Sequence, residues 1–217
     1  MATRLQTILI LGLLLSPGSA TAHRLDEFLQ ATFIEVGTNQ ISLSLSLTPG
    51  VDVAKQVIPQ IDGNLDGSLS PQEIASYAER VRTELSLTVD SRSQRLVLAG
   101  FEFPDVSEMK DGVGVISLQF TAITTNLSAG THRLRFLNGH QTNISVYLAN
   151  ALVPESKSIT IGRQVRDFRQ TTLEFEFTVA PGTTTAGLPT NSPPIGSASS
   201  KPKLKSARLP NNVTPSP

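Results

Sequence analysis

The sequence predicts a mainly β protein, an antiparallel β-sandwich with one inserted helix–loop–helix segment of the EF-hand kind. Three observations carry this reading. Apolar and polar residues alternate with period two along many short segments. Turn residues separate those segments. The period changes to helical spacing once, between residues 51 and 85.

The clearest strands come first. Ile41, Leu43, Leu45 and Leu47 alternate with Ser42, Ser44 and Ser46. Ile116, Leu118, Phe120 and Ala122 alternate with Ser117, Gln119 and Thr121, and Leu173, Phe175, Phe177 and Val179 alternate with Glu174, Glu176 and Thr178. Each such strand has one apolar face to bury and one polar face for water, which favours antiparallel sheets packed face to face. Weaker alternation runs through Phe28–Val36, Leu85–Val89, and residues 96–103, 132–137, 144–148 and 158–162. Gly37-Thr38-Asn39, Ser128-Ala129-Gly130 and Asn138-Gly139 are the turn signals between them.

The helical interval is marked at its start. Ser70-Pro71-Gln72-Glu73 reads as a capping box with proline in the first turn. Ile74, Ala78, Val81 and Leu85 then form one apolar face. Upstream, Val53, Val57 and Ile61 share a face of a short helix, and Pro59 limits it to about two turns or kinks it.

Composition excludes several functions. The 18 lysines and arginines balance 18 acids, and aromatic residues make up 5% of the chain, so neither a basic field nor an aromatic stripe invites nucleic acid. The absence of cysteine excludes disulfides, thiolate metal sites and a cysteine nucleophile. No G-x-S-x-G, H-E-x-x-H or phosphate-loop pattern occurs, so the expectation is a protein without enzymatic activity.

The N-terminus reads as an export signal: Arg4, an apolar run from Ile8 to Leu15, a Pro17-Gly18 break and the Ala20-Thr21-Ala22 cleavage site. The expected organisation is a signal peptide at 1–22, a β-sandwich domain at 23–180 with its insert at about 51–85, and a disordered tail at 181–217. The tail is rich in Pro, Gly, Ser, Thr and Asn and lacks acids and aromatics. The mature protein is then periplasmic or secreted and begins at His23.

Residues 62–73 carry the chemistry. They read Asp-Gly-Asn-Leu-Asp-Gly-Ser-Leu-Ser-Pro-Gln-Glu, which fits the twelve-position EF-hand loop. Calcium needs six to eight oxygens from a flexible cage. Asp62, Asn64 and Asp66 supply side-chain oxygens at positions 1, 3 and 5. Ser68 offers its carbonyl at position 7, Ser70 acts directly or through water at position 9, and Glu73 closes the site at position 12. Gly67 permits the sharp turn, and Leu69 points to the core. Two departures stand out: apolar Leu65 at position 4, and Pro59 in the entering helix. The competing reading is an Asp/Asn/Gly-rich turn that binds nothing. Glu73 has two roles in prospect, calcium ligand and capping partner of Ser70. With three carboxylates the expected affinity is about 10⁻⁴–10⁻³ M, the range of extracellular modules.

The histidines are His23, His132 and His140. An N-terminal His23 places a free amine beside an imidazole, a pair that can chelate copper or nickel. A complete site requires further ligands, for which His132 and His140 are the candidates. The competing reading is an exposed N-terminal histidine and two loop or strand-edge histidines.

Ala22 to Ala31, Leu47-Thr48-Pro49-Gly50-Val51, the loop at 62–73, and Ile144 to Pro154 together resemble the exported N-terminal domain of bacterial membrane proteins related to the HupE/UreJ family of nickel permeases. The resemblance spans most of residues 23–180 and implies an exported bacterial domain with a link to metal handling. The polytopic membrane part of those proteins is missing here, so transport does not carry over. Two functions follow as expectations. The first is a calcium-binding accessory module. The second is a periplasmic nickel, cobalt or copper accessory protein that works with a membrane permease or another envelope protein.

Overall fold

The computed structural model describes residues 26–124 and 127–182. The elements run β1 (Phe28–Val36), β2 (Gln40–Pro49), α1 (Val51–Val57), a 3-10 turn (Ile58–Gln60), α2 (Pro71–Thr83), β3 (Leu85–Val89), β4 (Arg92–Ser93), β5 (Val97–Glu102), α3 (Val106–Lys110), β6 (Ile116–Ile123), β7 (Gly130–Asn138), β8 (Ser145–Ala151), β9 (Ile159–Arg166) and β10 (Thr172–Val179). The expected signal peptide, His23, and residues 183–217 of the expected tail lie outside the described residues. No helix among the described residues is long and apolar enough to cross a membrane.

The strands form two five-stranded sheets, ordered β5-β6-β2-β1-β8 and β4-β3-β7-β10-β9. Alternate side chains of both sheets enter one core. Leu43, Leu45, Leu118 and Phe120 come from the first sheet, and Leu134, Phe136, Leu173 and Phe177 from the second. Each fully buried side chain of this size contributes about 1.5–3 kcal/mol relative to exposure.

One pairing corrects the antiparallel expectation. β1 pairs with β2 antiparallel but with β8 parallel, Phe28 opposite Ser145 and Ile34 opposite Ala151. The alternation of side chains assigns faces and carries no information on strand direction. β8 arrives from β7 in the other sheet, so no hairpin dictates its orientation beside β1. The edge this leaves on β8 is covered from across the sandwich. The Gln164 amide donates to Ala151 O at 3.0 Å and accepts from Ala151 N at 2.9 Å, and Arg166 Nε donates to Ala149 O at 2.7 Å. Side chains of β9 thus occupy backbone groups that would otherwise recruit a foreign strand.

The inserted segment packs against β2, β3 and β5. α1 is seven residues long and gives way to the 3-10 turn at Pro59, as the proline requires. Val53, Val57 and Ile61 are buried together. α2 begins at the expected capping box, and Tyr77, Ala78 and Val81 form its buried face. Leu85, the last member of the helical pattern, already belongs to β3. Helix α3 lay unseen because five residues are too few to show a period. Gly114 lets the chain turn back over α3, since a Cβ there would stand 2.7 Å from Met109 N.

Candidate metal centre

The loop between the 3-10 turn and α2 is held by its own polar groups. Asp62 is 2% exposed and its Oδ2 accepts the Gly67 amide at 3.0 Å across the loop. Gly67 takes φ +80°, a conformation that suits glycine. Asp66 Oδ1 accepts the Ser68 amide at 2.8 Å, and Asp66 Oδ2 accepts from Asn64 Nδ2 at 2.9 Å. Asn64 Oδ1 accepts the Asp66 amide at 3.0 Å. Leu69 packs against the core, as its position requires.

Glu73 takes the capping role expected of it and also closes the loop on itself. Its Oε2 accepts from Ser70 N at 2.9 Å and Ser70 Oγ at 2.7 Å, completing the capping box. Its Oε1 reaches back to Gly63 N at 2.9 Å and Asn64 N at 3.4 Å. The last residue of the loop is thereby tied to the second and third. The Ser70 side chain and amide, helped by the amides of Asn64 and Gly63, hold the Glu73 carboxyl below the usual carboxylate range against a smaller effect of desolvation.

One group stands apart. Asp62 Oδ1 is buried and has no hydrogen-bond partner among the described residues. A buried acceptor left unpaired costs about 1–3 kcal/mol. Among the described residues no three His, Asp or Glu side chains are gathered to hold a metal ion, and the Asp66 and Glu73 carboxylates accept from amides of the loop. The fit to a cation therefore rests on chemistry: an all-oxygen donor set, anionic at 62, 66 and 73, with one buried carboxylate oxygen awaiting a partner. Hard oxygen donors suit calcium, not the softer metals.

The histidines lie elsewhere. His132 on β7 is 8% exposed, with Nδ1 2.7 Å from Asp90 Oδ2 and Nε2 2.8 Å from Ser128 O. Both nitrogens face acceptors, an arrangement that suits the imidazolium. Burial alone would lower its pKa, but the Asp90 hydrogen bond, the Ser128 carbonyl and the Asp90 charge together raise it. His140 is fully buried; its Nδ1 meets Glu84 Oε2 and its Nε2 lies 2.9 Å from the Tyr77 hydroxyl. A neutral ring that donates to Glu84 and accepts from Tyr77 satisfies all three groups. Burial depresses its pKa more than the Glu84 hydrogen bond and charge raise it, and Arg80 adds to the depression.

These opposite shifts predict a stability maximum. His132, raised above 6.5, contributes fully below that pH and loses its contribution as pH rises through the raised folded value. His140, lowered from 6.5, contributes fully above that pH and loses its contribution as pH falls through the lowered value. Thermal melts across pH should show His132→Gln flattening the alkaline limb and His140→Gln the acid limb. Unchanged limbs in both variants would refute the assignment.

Sequence reasoning missed the polar network around His140. Gln30 donates to His140 O at 2.9 Å and to Ser145 Oγ at 2.7 Å, Asn138 Nδ2 donates to Gln30 Oε1 at 2.9 Å, and the Tyr147 hydroxyl donates to His140 O at 2.7 Å. One signal was available: Gln30 and Thr32 interrupt the inward face of β1 and are buried. Such positions mark a polar network within the core. No protein-family model, curated protein or solved structure matches this chain.

Proposed function

We propose that this protein is an exported, non-enzymatic module that binds one calcium ion in the loop at residues 62–73. The observation that carries the reading is Asp62, a carboxylate buried at the first loop position with one oxygen unpartnered. Asp62, Asn64 and Asp66 would hold the ion through side-chain oxygens, Ser68 through its carbonyl, Ser70 directly or through water, and Glu73 through its carboxylate. The bound ion would supply positive charge to a loop that now spends its carboxylates on amides. Glu73 must exchange its amide contacts for the ion, which fits an affinity of about 10⁻⁴–10⁻³ M.

The resemblance of residues 23–180 to the exported domain of HupE/UreJ-related proteins supports a periplasmic or secreted location and an envelope partner such as a permease. The transition-metal role through His23 gains no support from the other histidines, since His132 and His140 are engaged at both ring nitrogens. Calorimetry of the mature chain is the test. Millimolar calcium should give saturable heat that Glu73→Gln abolishes, and magnesium should give less, since it demands a tighter octahedron. Absence of calcium heat in the wild type would leave the loop as a turn and end the reading.

A further inference from the structure

A groove of about 440 Å³ runs beside the loop, between α1 and α3. Its walls are apolar where Val51, Ile58, Pro59 and Leu65 line it, and Asp62 lies among the lining residues. We propose that this groove docks an acidic, apolar segment of a partner protein, and that calcium in the adjoining loop strengthens the docking. The second half rests on the calcium reading above.

Leu65 is the first argument. It is 65% exposed and takes φ +59°, a left-handed conformation that leucine adopts at a cost. Asparagine or glycine would suit the backbone better, and the fold gains little burial from the side chain. Its apolar surface is of use to something outside the fold. A second depression, of about 220 Å³, continues the surface through Leu29, Val113 and Val115. Gly50 lines this depression and Val51 the first, while Lys110 and Gly112 adjoin on the other side. Leu29, Val113 and Val115 are 47%, 58% and 42% exposed. Two neighbouring depressions suit a length of chain better than a compact small molecule.

Charge selects the occupant. Lys55 on α1 and Lys110 on α3 both line the groove, both are exposed, and neither has an ion-pair partner among the described residues. Two cations on separate helices draw the carboxylates of a segment to the first groove, while Glu27 in the second depression leaves that end to its apolar side chains. The chain's own residues 183–217 do not answer this description, since they carry Lys201, Lys203, Lys205 and Arg208 and no acid. Asp62 sets the calcium dependence. Bare, it and the loop carboxylates of Asp66 and Glu73 repel an acidic segment; a divalent cation among the three cancels two of their three negative charges and weakens that repulsion. The coupling is reciprocal, so the segment should also tighten calcium.

Fluorescence polarisation tests this with a labelled peptide of about ten residues alternating glutamate and leucine. Affinity in millimolar calcium should exceed that in chelator by about tenfold, within the usual range of coupling. The Lys55→Glu, Lys110→Glu double variant should lose about tenfold or more, and Val51→Ser, which lies outside the loop, should weaken binding while leaving the calorimetric calcium affinity alone. A lysine–leucine peptide should bind far more weakly. Calcium heat with a peptide affinity indifferent to calcium, or to both lysines, overturns this proposal and spares the calcium reading. Loss of calcium heat refutes the calcium reading and the coupling with it. Sedimentation with anionic phosphatidylglycerol vesicles in preference to peptide binding would mean a lipid surface is the occupant, and would also overturn the proposal.

Discussion

Replacing His140 by leucine is expected to lower the unfolding free energy by about 2–4 kcal/mol, read from urea denaturation. The cause is the group left behind. Tyr77 is 1% exposed, and His140 Nε2 is the partner of its hydroxyl. Without that partner the hydroxyl is buried and unpaired, which costs about 1–3 kcal/mol, and the altered packing of a fully enclosed side chain adds to this. Glu84 adds less, because its side chain is 39% exposed and can rehydrate. Gln30, Asn138 and Tyr147 bond to the backbone of residue 140, so the substitution leaves those contacts in place. A second change isolates the pair. Tyr77→Phe in the leucine background removes the orphaned hydroxyl and should recover part of the loss, so the double variant is more stable than the two single costs predict. Strict additivity would mean that the Tyr77–His140 contact contributes nothing.

The same residues show what sequence reveals and what it conceals. The strands at 41–47, 116–122 and 173–179 were legible because their inward faces are uniformly apolar; each such position is buried. The loop was legible because its chemistry is local: Ser70 caps Glu73 three residues away, and Asp62 meets Gly67 five residues away. The His140 network was not, because Gln30 and His140 are 110 residues apart and meet only when β1 and the β7–β8 connection are brought together. Strand direction was hidden for a related reason. Burial at β8 has the same period whether its neighbour runs with it or against it.

How the loop is held follows from how its carboxylates are used. Glu73 and Asp66 are engaged with amides, so the loop closes on hydrogen bonds alone. Asp62 is the exception, since only one of its oxygens is used. The loop's own hydrogen bonds hold its shape and leave one buried carboxylate oxygen, Asp62 Oδ1, without a partner among the described residues. Calcium would act by relieving that position, and the helices need not move for it to do so.

This division predicts an inversion. In chelator, Asp62→Asn should be as stable as the wild type or more so by about 1 kcal/mol, because a neutral amide is cheaper to bury than a half-paired carboxylate. Its carbonyl oxygen can still accept the Gly67 amide that Asp62 now accepts at 3.0 Å. In calcium the order should reverse. An ion that binds only the folded loop stabilises the wild type by RT ln(1 + [L]/Kd), about 2.7 kcal/mol at a hundredfold excess over Kd, and the variant gains little of this. Glu73→Gln should behave differently and be destabilised under both conditions, since Glu73 closes the loop with or without the ion. Thermal melts of the three proteins in chelator and in calcium give the comparison. An Asp62→Asn protein that tracks the wild type in both buffers would show that residue 62 meets no cation, whereas crossing curves for Asp62→Asn beside a deficit of Glu73→Gln that widens in calcium would assign the ion to the loop that both residues close.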